Sequence, residues 1–296
     1  MRSGFVALAG RPNAGKSTLL NSLVKEKVAI VSDKPQTTRS EIRGILTNEE
    51  GQIVFTDTPG IHKQQNRLET RMNKEVNDVL MGVDLIYLVV DGSVPWKQQD
   101  AYVLQMVENA GLPVFLILNK IDLLPKEKII KNLTSWQSKF EFAEYFPLSA
   151  KFGTTFDDLV KTTLSYLPEG ELLYPPEMIS DGAENFRIAE IIREKVLECT
   201  QQEVPHATAV KVENKKFSKE SALIQAVILV EKDGQKGIMI GKHGSMLKKI
   251  GTAARKDIEE LLGKRVFLEL FVRVESDWRS KDARISEYGY GGAFRE

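Results

Sequence analysis

The stretch that decides the fold is Gly10-Arg11-Pro12-Asn13-Ala14-Gly15-Lys16-Ser17. It follows the apolar run Phe5–Ala9, which is typical of a buried strand, and precedes a helical pattern over Thr18–Lys25. In that setting the pattern G-x-x-x-x-G-K-[ST] predicts a loop whose backbone N–H groups surround phosphate oxygens, because glycines let the chain curl and a helix N-terminus favours negative charge. Lys16 would reach the β- and γ-phosphates, and the Ser17 hydroxyl would bind Mg²⁺. We therefore expect a nucleotide site over residues 10–18, with Thr18 as its last member.

Short apolar runs alternate with helical patterns through the first half of the chain. After Phe5–Ala9, the predicted strands are Ile53–Thr56, Leu85–Val90, Val114–Leu118 and Tyr145–Leu148. This alternation predicts an α/β domain with a mostly parallel sheet and helices on both faces. A hairpin between Ser40 and Thr56, turned at residues 48–51, would add one antiparallel strand. A last helix over residues 156–167 would stop at Pro168.

The motif Asn119-Lys120-Ile121-Asp122 indicates which base is bound. It ends the predicted strand Val114–Leu118, at the edge where an open α/β sheet places ligands. The Asp122 carboxylate can accept hydrogen bonds from the ring N–H and the exocyclic amine of guanine, and adenine offers no such pair of donors. Such a site discriminates strongly against a ligand that lacks the donors. We therefore expect a guanine nucleotide, with Asn119 and Lys120 bracing the loop and covering the base.

Three further segments complete the predicted site, namely Asp57-Thr58-Pro59-Gly60, the loop over residues 34–39, and Ser149-Ala150-Lys151. Asp57 can hold Mg²⁺ through water, and the Gly60 N–H can bond the γ-phosphate, a contact that hydrolysis removes. The loop carries Thr37 and Thr38, and spacing alone leaves open which of them closes over the metal. The third segment follows the last strand, where a backbone N–H could brace guanine O6.

The second half of the chain has a different organisation. Residues 168–182 are rich in proline and glycine without periodicity, which indicates a linker. Beyond it the order is a helix, two strands, two helical pieces and a strand, which predicts a small α+β domain. The expected boundaries are 1–168 for the nucleotide domain, 169–184 for the linker, 185–281 for the second domain and 282–296 for a tail.

The glycine motif of the second domain is Gly241-Lys242-His243-Gly244. A lone G-x-x-G is a weak signal, but residues 232–256 contain seven basic residues and one acidic residue. Two glycines bring the backbone close to a nucleic-acid backbone, as in the clamp of KH domains. We expect about four single-stranded nucleotides to bind there. The expected RNA-binding residues are Ile240, Gly241, Lys242, His243, Gly244, Lys248, Lys249 and Arg255, above a groove floored by Ile238, Ile240, Leu247 and Ile250.

Composition limits the protein class. The 296 residues carry 41 basic and 41 acidic side chains, and residues 185–296 hold 21 basic against 17 acidic residues, which gives the second domain a net charge of +4. One cysteine excludes an intramolecular disulfide and a cysteine-based zinc site. No apolar stretch approaches the ~20 residues of a membrane span. These features predict a soluble, cytoplasmic protein whose basic second domain binds any polyanion.

Five motifs in this order resemble those of the translation-factor-related GTPases, and the chain as a whole resembles the Era-like family. Residues 240–251 match that family nearly throughout. The resemblance implies a GTPase domain followed by a type II KH domain, with GTP and GDP as ligands and Thr38 as the switch threonine on Mg²⁺. Asn13 matches a position that helps hold K⁺ in potassium-stimulated relatives.

The same resemblance implies partners. The RNA would be the 3′ end of small-subunit (16S) ribosomal RNA, and the task would be maturation of the 30S subunit by a monomeric protein. Era-like proteins also make peripheral contact with the cytoplasmic face of the inner membrane, although no amphipathic basic helix in this sequence supports such contact.

The sequence departs from the Ras pattern after Gly60, where Ile61 stands in place of the glutamine that orients the attacking water. Catalysis would then rest on Lys16, Thr38 and the Gly60 backbone, and hydrolysis would be slow, roughly 10⁻⁴–10⁻² s⁻¹.

Two alternatives remain from sequence, an RNA-binding protein whose GTP site is structural, and a GTPase that acts on another RNA such as tRNA. Relatives that act on tRNA need a one-carbon-binding domain and a C-terminal cysteine, which this sequence lacks.

Overall fold

A computed structural model describes residues 1–61, 66–153 and 156–291. The chain divides into two units: one extends to Asp181, and the other begins at Gly182 and also includes Asn66–Leu68. The predicted tail continues to residue 296, and its last five residues lie outside the described part.

The first unit contains six strands and five helices among its described residues. The strands are β1 (Arg2–Ala9), β2 (Ile42–Thr47), β3 (Gly51–Asp57), β4 (Leu85–Asp91), β5 (Val114–Asn119) and β6 (Glu144–Pro147). The helices are α1 (Lys16–Val24), α2 (Arg67–Leu80), α3 (Gln98–Glu108), α4 (Lys126–Gln137) and α5 (Phe156–Tyr166). The α/β prediction is confirmed, and each predicted strand is present with ends shifted by a few residues.

The six strands form one sheet in the order β2-β3-β1-β4-β5-β6. Only β2 runs antiparallel, paired with β3 in the predicted hairpin, and the other described pairings are parallel. Parallel strands point their carboxyl ends to one edge, so the loops after β1, β3, β4 and β5 meet there. The central strands β4 and β5 are buried along nearly their whole length, because helices cover both faces.

The segment predicted as a linker lies along the first unit as far as Asp181. Gln52 is fully buried on β3, and its side chain accepts hydrogen bonds from the N–H groups of Leu173 and Tyr174 (2.8 and 2.9 Å). The Ile45 N–H of edge strand β2 donates to the Ile179 carbonyl (2.8 Å). These bonds give polar backbone groups of the segment and of the sheet edge their partners. The division observed at residues 181 and 182 therefore falls near the end of the predicted linker.

The second unit follows the predicted order of helices and strands. Its elements are α6 (Glu184–Cys199), β7 (Ala209–Phe217), β8 (Ser221–Val230), α7 (Asp233–Ile240), α8 (Ser245–Leu262), β9 (Arg265–Val274) and α9 (Asp282–Glu287). Strand β8 lies in the middle of a three-stranded sheet, antiparallel to β7 and parallel to β9. Alternate residues of β8 pack with α6 and α8 in one apolar core. The predicted α+β arrangement is confirmed.

Candidate functional site

The loop between β1 and α1 is closed around the side chain of Lys16. This side chain is buried, and its Nζ donates to the carbonyls of Gly10 (3.4 Å) and Arg11 (3.3 Å). Gly15 has φ +96°, and a Cβ atom there would collide with the side-chain amide of Asn119. Burial lowers the pKa of Lys16, and the nearby Asp57 carboxylate opposes that shift. The loop therefore holds a cation at its centre, where phosphates would approach.

Three side-chain oxygens converge beside Lys16. The Ser17 hydroxyl donates to Asp57 Oδ2 (2.6 Å), the Thr38 hydroxyl donates to the same oxygen (3.0 Å), and the two hydroxyls lie 2.9 Å apart. Asp57 is fully buried, and its Oδ1 has no hydrogen-bond partner among the described residues. One carboxylate and two hydroxyls are the hard oxygen donors that Mg²⁺ prefers. The residues present therefore fit a magnesium ion, and the orphaned Oδ1 is the acceptor that such an ion or its water would satisfy.

The same geometry distinguishes Thr37 from Thr38, which sequence spacing alone left as alternative ligands of the metal. The Thr37 hydroxyl donates to the Lys34 carbonyl (2.7 Å), whereas Thr38 faces Ser17 and Asp57. Burial raises the pKa of Asp57, and the charge of Lys16 and these hydroxyl bonds oppose the rise. The structure thus brings Thr38 to the candidate metal position.

The turn after β3 packs directly onto the phosphate loop. The Thr58 hydroxyl donates to the Leu8 carbonyl (2.8 Å), and the Ile61 N–H donates to the Gly10 carbonyl (3.1 Å). A Cβ atom on Gly60 would lie 2.7 Å from the Pro12 Cα, so only glycine fits there. Ile61 itself is buried in the apolar core. The side chain that replaces the Ras glutamine therefore has a packing role and cannot polarise water.

The base-recognition motif is tied to the phosphate loop through Asn119. Its side-chain N–H donates to the Ala14 carbonyl (2.9 Å), while its Oδ1 accepts from the N–H of Ala150 (2.9 Å). Lys120 Nζ donates to the Asn13 carbonyl (2.7 Å) and to Asp91 (2.6 Å). The predicted bracing roles of Asn119 and Lys120 thus have a defined geometry.

The Asp122 carboxylate is exposed at the same edge of the sheet. One of its oxygens accepts from the Ser149 hydroxyl (2.5 Å), which fixes the orientation of the carboxylate. The Ala150 N–H already donates to Asn119. The contact with guanine O6 that was predicted for residues 149–151 would therefore have to share this donor or use another N–H. Lys151 is exposed beside the ring of Phe152.

Two acidic residues at this site were not predicted from the sequence. Asp91 ends β4 and pairs with Lys120, and Asp100 on α3 accepts from the Arg11 guanidinium (3.1 Å). Asp91 was recognisable, because it ends a buried strand at the edge where the other motifs meet. Asp100 lies within a helix with no motif around it. Asn13, the candidate K⁺ residue, donates to the Asp33 carbonyl (2.5 Å).

The second candidate site is the G-x-x-G loop between α7 and α8. Gly241 and Gly244 have φ +72° and +77°, and His243 between them also has positive φ. A Cβ atom on Gly241 would lie 2.7 Å from the Met246 Cβ, so the sharp turn requires glycine there. Lys242 and His243 are exposed at the tip of the loop.

The cations predicted to contact phosphates line the exposed side of α8. Lys248, Lys249 and Arg255 are exposed, and Arg255 lies 4.0 Å from Glu259. Ile238 is half exposed, and Ile240 and Leu247 are partly buried, as a groove floor requires. Ile250 is fully buried in the core, so its side chain supports the groove from below.

Comparison with known proteins gives the same two parts. A family profile described as a 50S ribosome-binding GTPase matches residues 5–120, and a KH-domain profile matches residues 203–279. A crystal structure of Aquifex aeolicus Era bound to GDP and AlF4⁻, in a form with one substitution, is 39% identical with a TM-score of 0.95. A structure of Era in complex with MgGDPNP and nucleotides 1506–1542 of 16S ribosomal RNA is 38% identical with a TM-score of 0.95. Each alignment covers 98% of this chain and 99% of the other.

No helix among residues 1–61, 66–153 and 156–291 is both long and apolar enough to cross a membrane. At this identity over nearly its whole length, with both predicted domains in place, the chain belongs to the Era family of GTPases.

Proposed function

We propose that residues 10–18 hold the phosphates of GTP, that Asp122 recognises guanine, and that Ser17, Thr38 and Asp57 hold Mg²⁺. The convergence of two hydroxyls on the buried Asp57 carboxylate carries this proposal. When bound, Mg²⁺ would offset the negative charge of the β- and γ-phosphates. Its removal with a chelator should lower GTP affinity without affecting the fold.

We expect slow hydrolysis by this site, because the residue at the position of the Ras glutamine is Ile61, which is apolar and buried in the core. Lys16 would stabilise the charge that develops on the transferred phosphoryl group, and the Gly60 N–H would donate a hydrogen bond to it. Thr38 and backbone groups are left to position the attacking water. Single-turnover hydrolysis by the protein alone should fall at about 10⁻⁴–10⁻² s⁻¹. A rate of tens per second would contradict this assignment.

Asn13 is proposed to support a K⁺ ion beside the phosphates. Its position in the phosphate loop and its bond to the Asp33 carbonyl support this role. Hydrolysis should be faster in K⁺ than in Na⁺ at equal ionic strength. Asn13→Ala should remove that difference and retain GTP binding.

The second unit is proposed to bind the 3′ end of 16S ribosomal RNA and thereby to assist maturation of the small ribosomal subunit. The complex of a relative with nucleotides 1506–1542 of that RNA supports this partner, and the G-x-x-G turn with its exposed lysines supplies the chemistry. The protein would act as a cytoplasmic monomer with peripheral contact at the inner membrane.

Aspartate substitutions in the glycine loop test the RNA assignment. The double variant Gly241→Asp/Gly244→Asp should lose binding to an oligonucleotide from the 3′ end of 16S RNA while keeping its GTP affinity. Gly111→Asp is the matched control, because Gly111, like Gly244, has positive φ and open space around it but lies in the first unit, between α3 and β5. Unchanged RNA affinity in the double variant would show that the G-x-x-G loop is not the RNA-binding site.

Switching is tested by RNA affinity in two nucleotide states. A GTPase switch should bind the oligonucleotide with different affinities when loaded with GDP and with a non-hydrolysable GTP analogue. Equal affinities would favour a structural GTP site.

A further inference from the structure

We propose that the face of β9 turned away from the helices is a second binding surface for single-stranded RNA, with Phe267 and Phe271 as stacking platforms. This inference rests on the proposed RNA-binding function of the second unit and extends it beyond the G-x-x-G loop. The outward residues of β9 alternate as Arg265, Phe267, Glu269, Phe271 and Arg273.

The two phenylalanines are not part of the core. Phe267 is 63% exposed and Phe271 is 52% exposed, whereas the intervening Leu268 and Leu270 pack toward the helices. Leu223 of β8 lies beside Phe267 in the sheet and is partly buried. We call Leu223, Phe267 and Phe271 the aromatic strip.

The far end of this sheet face is closed by the C-terminal segment. Val227 and Leu229 on β8 are buried, and Lys211, which pairs with Val227, forms an ion pair with Glu287 of α9 (2.8 Å). The open end, toward the start of β9, therefore contains Leu223 and Phe267, and Phe271 lies at its border, beside the buried Val227 but itself half exposed.

The charges around the strip suit a polyanion at its open end. Arg265 and Lys216 are exposed there, and neither forms an ion pair within the described part of the chain. Arg273 at the other end is paired with Glu213 (2.9 Å). Glu269 lies between the two rings and accepts from Gln225 (2.7 Å), so a phosphate would avoid the middle of the strip while a base with an exocyclic amine could approach.

The position of β9 favours RNA as the occupant. Both helices that flank the G-x-x-G loop, α7 and α8, contact β9, and its outer edge has no strand partner in the described sheet. A strand rises about 3.3 Å per residue, so the two rings lie roughly 13 Å apart, a spacing that suits two or three bases. Aromatic residues on an open sheet face stack unpaired bases in the same way in other RNA-binding domains.

A second copy of the chain fits this surface less well. Two phenylalanines and one leucine offer far less apolar area than the ~800 Å² per partner of a stable interface. The cations at the open end would also face each other in a symmetric pair.

The test compares two oligonucleotides by fluorescence anisotropy, one of five nucleotides that fills only the loop site and one of twelve that continues past it. Phe267→Ala/Phe271→Ala should weaken binding of the longer RNA at least tenfold and leave the shorter RNA unaffected, because the variant removes both stacking surfaces outside the loop site. The double variant Phe267→Trp/Phe271→Trp should bind the longer RNA at least as tightly as the wild type. Phe217→Ala is the matched control, because Phe217 is 49% exposed but lies on the helix side of the sheet beneath Lys215 and Lys264.

Several results would overturn the inference. These are unchanged affinity for the longer RNA, equal losses for both RNAs, or a concentration-dependent dimer that the double variant abolishes. If the wild-type protein fails to bind the five-nucleotide RNA, the proposed loop site fails, while the comparison on the longer RNA still decides the aromatic strip.

Discussion

The nucleotide site and the G-x-x-G site are built in opposite ways. Around Lys16 and Asp57, the polar groups are buried and bonded to one another before any ligand arrives. Around Gly241, the cations are exposed side chains on a turn that only glycine can form. A buried, interlocked site should lose most of its affinity when one member is removed, because its partners are left unsatisfied. An exposed cationic site should lose affinity in small, salt-dependent steps.

The largest effect should follow from Lys16→Met. This change removes the one cation that the phosphate loop encloses, which we expect to weaken GTP binding about 1,000-fold, or ~4 kcal/mol. Calorimetric titration with GTP measures the loss, and Lys161→Met, at an exposed lysine of α5, is the control. RNA affinity without nucleotide should stay at the wild-type value. If Lys16→Met lowered GTP affinity less than tenfold, the nucleotide site would not behave as a buried, interlocked site should.

The next effect concerns the choice of base. Asp122→Ala removes the acceptor that Ser149 orients, so GTP affinity should fall about 100-fold while the weak binding of ATP should hardly change. The ratio of the two dissociation constants is the quantity to compare between the variant and the wild type. If the wild-type protein already bound ATP as tightly as GTP, Asp122 would not be the specificity residue.

Much of the nucleotide site was predictable because its motifs follow buried strands. Parallel strands end at one edge, so residues distant in sequence, such as Ser17, Asp57 and Asn119, had to meet there. The second unit was predictable as an order of helices and strands. The G-x-x-G loop depended on its basic surroundings and on the family resemblance.

The rest depended on contacts that leave no local pattern. The Gln52 side chain holds residues 173 and 174 against the sheet, and no periodicity in a proline-rich segment could indicate it. The polar second half of β7 has no recognisable strand pattern, because its exposed lysines hide the alternation that a half-buried strand usually shows and a bulge after Val212 shifts its register. The Ala150 N–H donates to Asn119, so one motif uses a donor that was predicted to contact the base, and no sequence pattern shows this competition.

Burial in the first unit extends beyond the site and makes stability depend on pH. Burial raises the pKa of Glu75 on α2 to about 7, although its carboxylate accepts from the Glu41 N–H (2.8 Å). Between the ordinary value of 4.5 and pH 7, the folded chain therefore holds this proton while the unfolded chain releases it. The stabilisation from Glu75 is complete below pH 4.5 and is lost as the pH rises through 7.

Glu75→Gln, which keeps an acceptor and stays neutral, should raise the free energy of unfolding at pH 8 by about 2 kcal/mol relative to its effect at pH 5. Urea denaturation at the two pH values measures the difference. An equal effect at both would show that Glu75 ionises normally.

The smallest effect is expected at the exposed G-x-x-G site. Lys248→Ala should weaken binding of the 16S 3′ oligonucleotide only about threefold, because one exposed cation among several contributes little at moderate salt. The slope of log affinity against log salt should become shallower by about 0.7, the value expected for one phosphate contact to single-stranded RNA. Lys161→Ala, at an exposed lysine of α5 in the first unit, should change neither quantity. A loss of 100-fold or more from Lys248 alone would mean that the loop site is preorganised like the nucleotide site, and the distinction between the two would disappear.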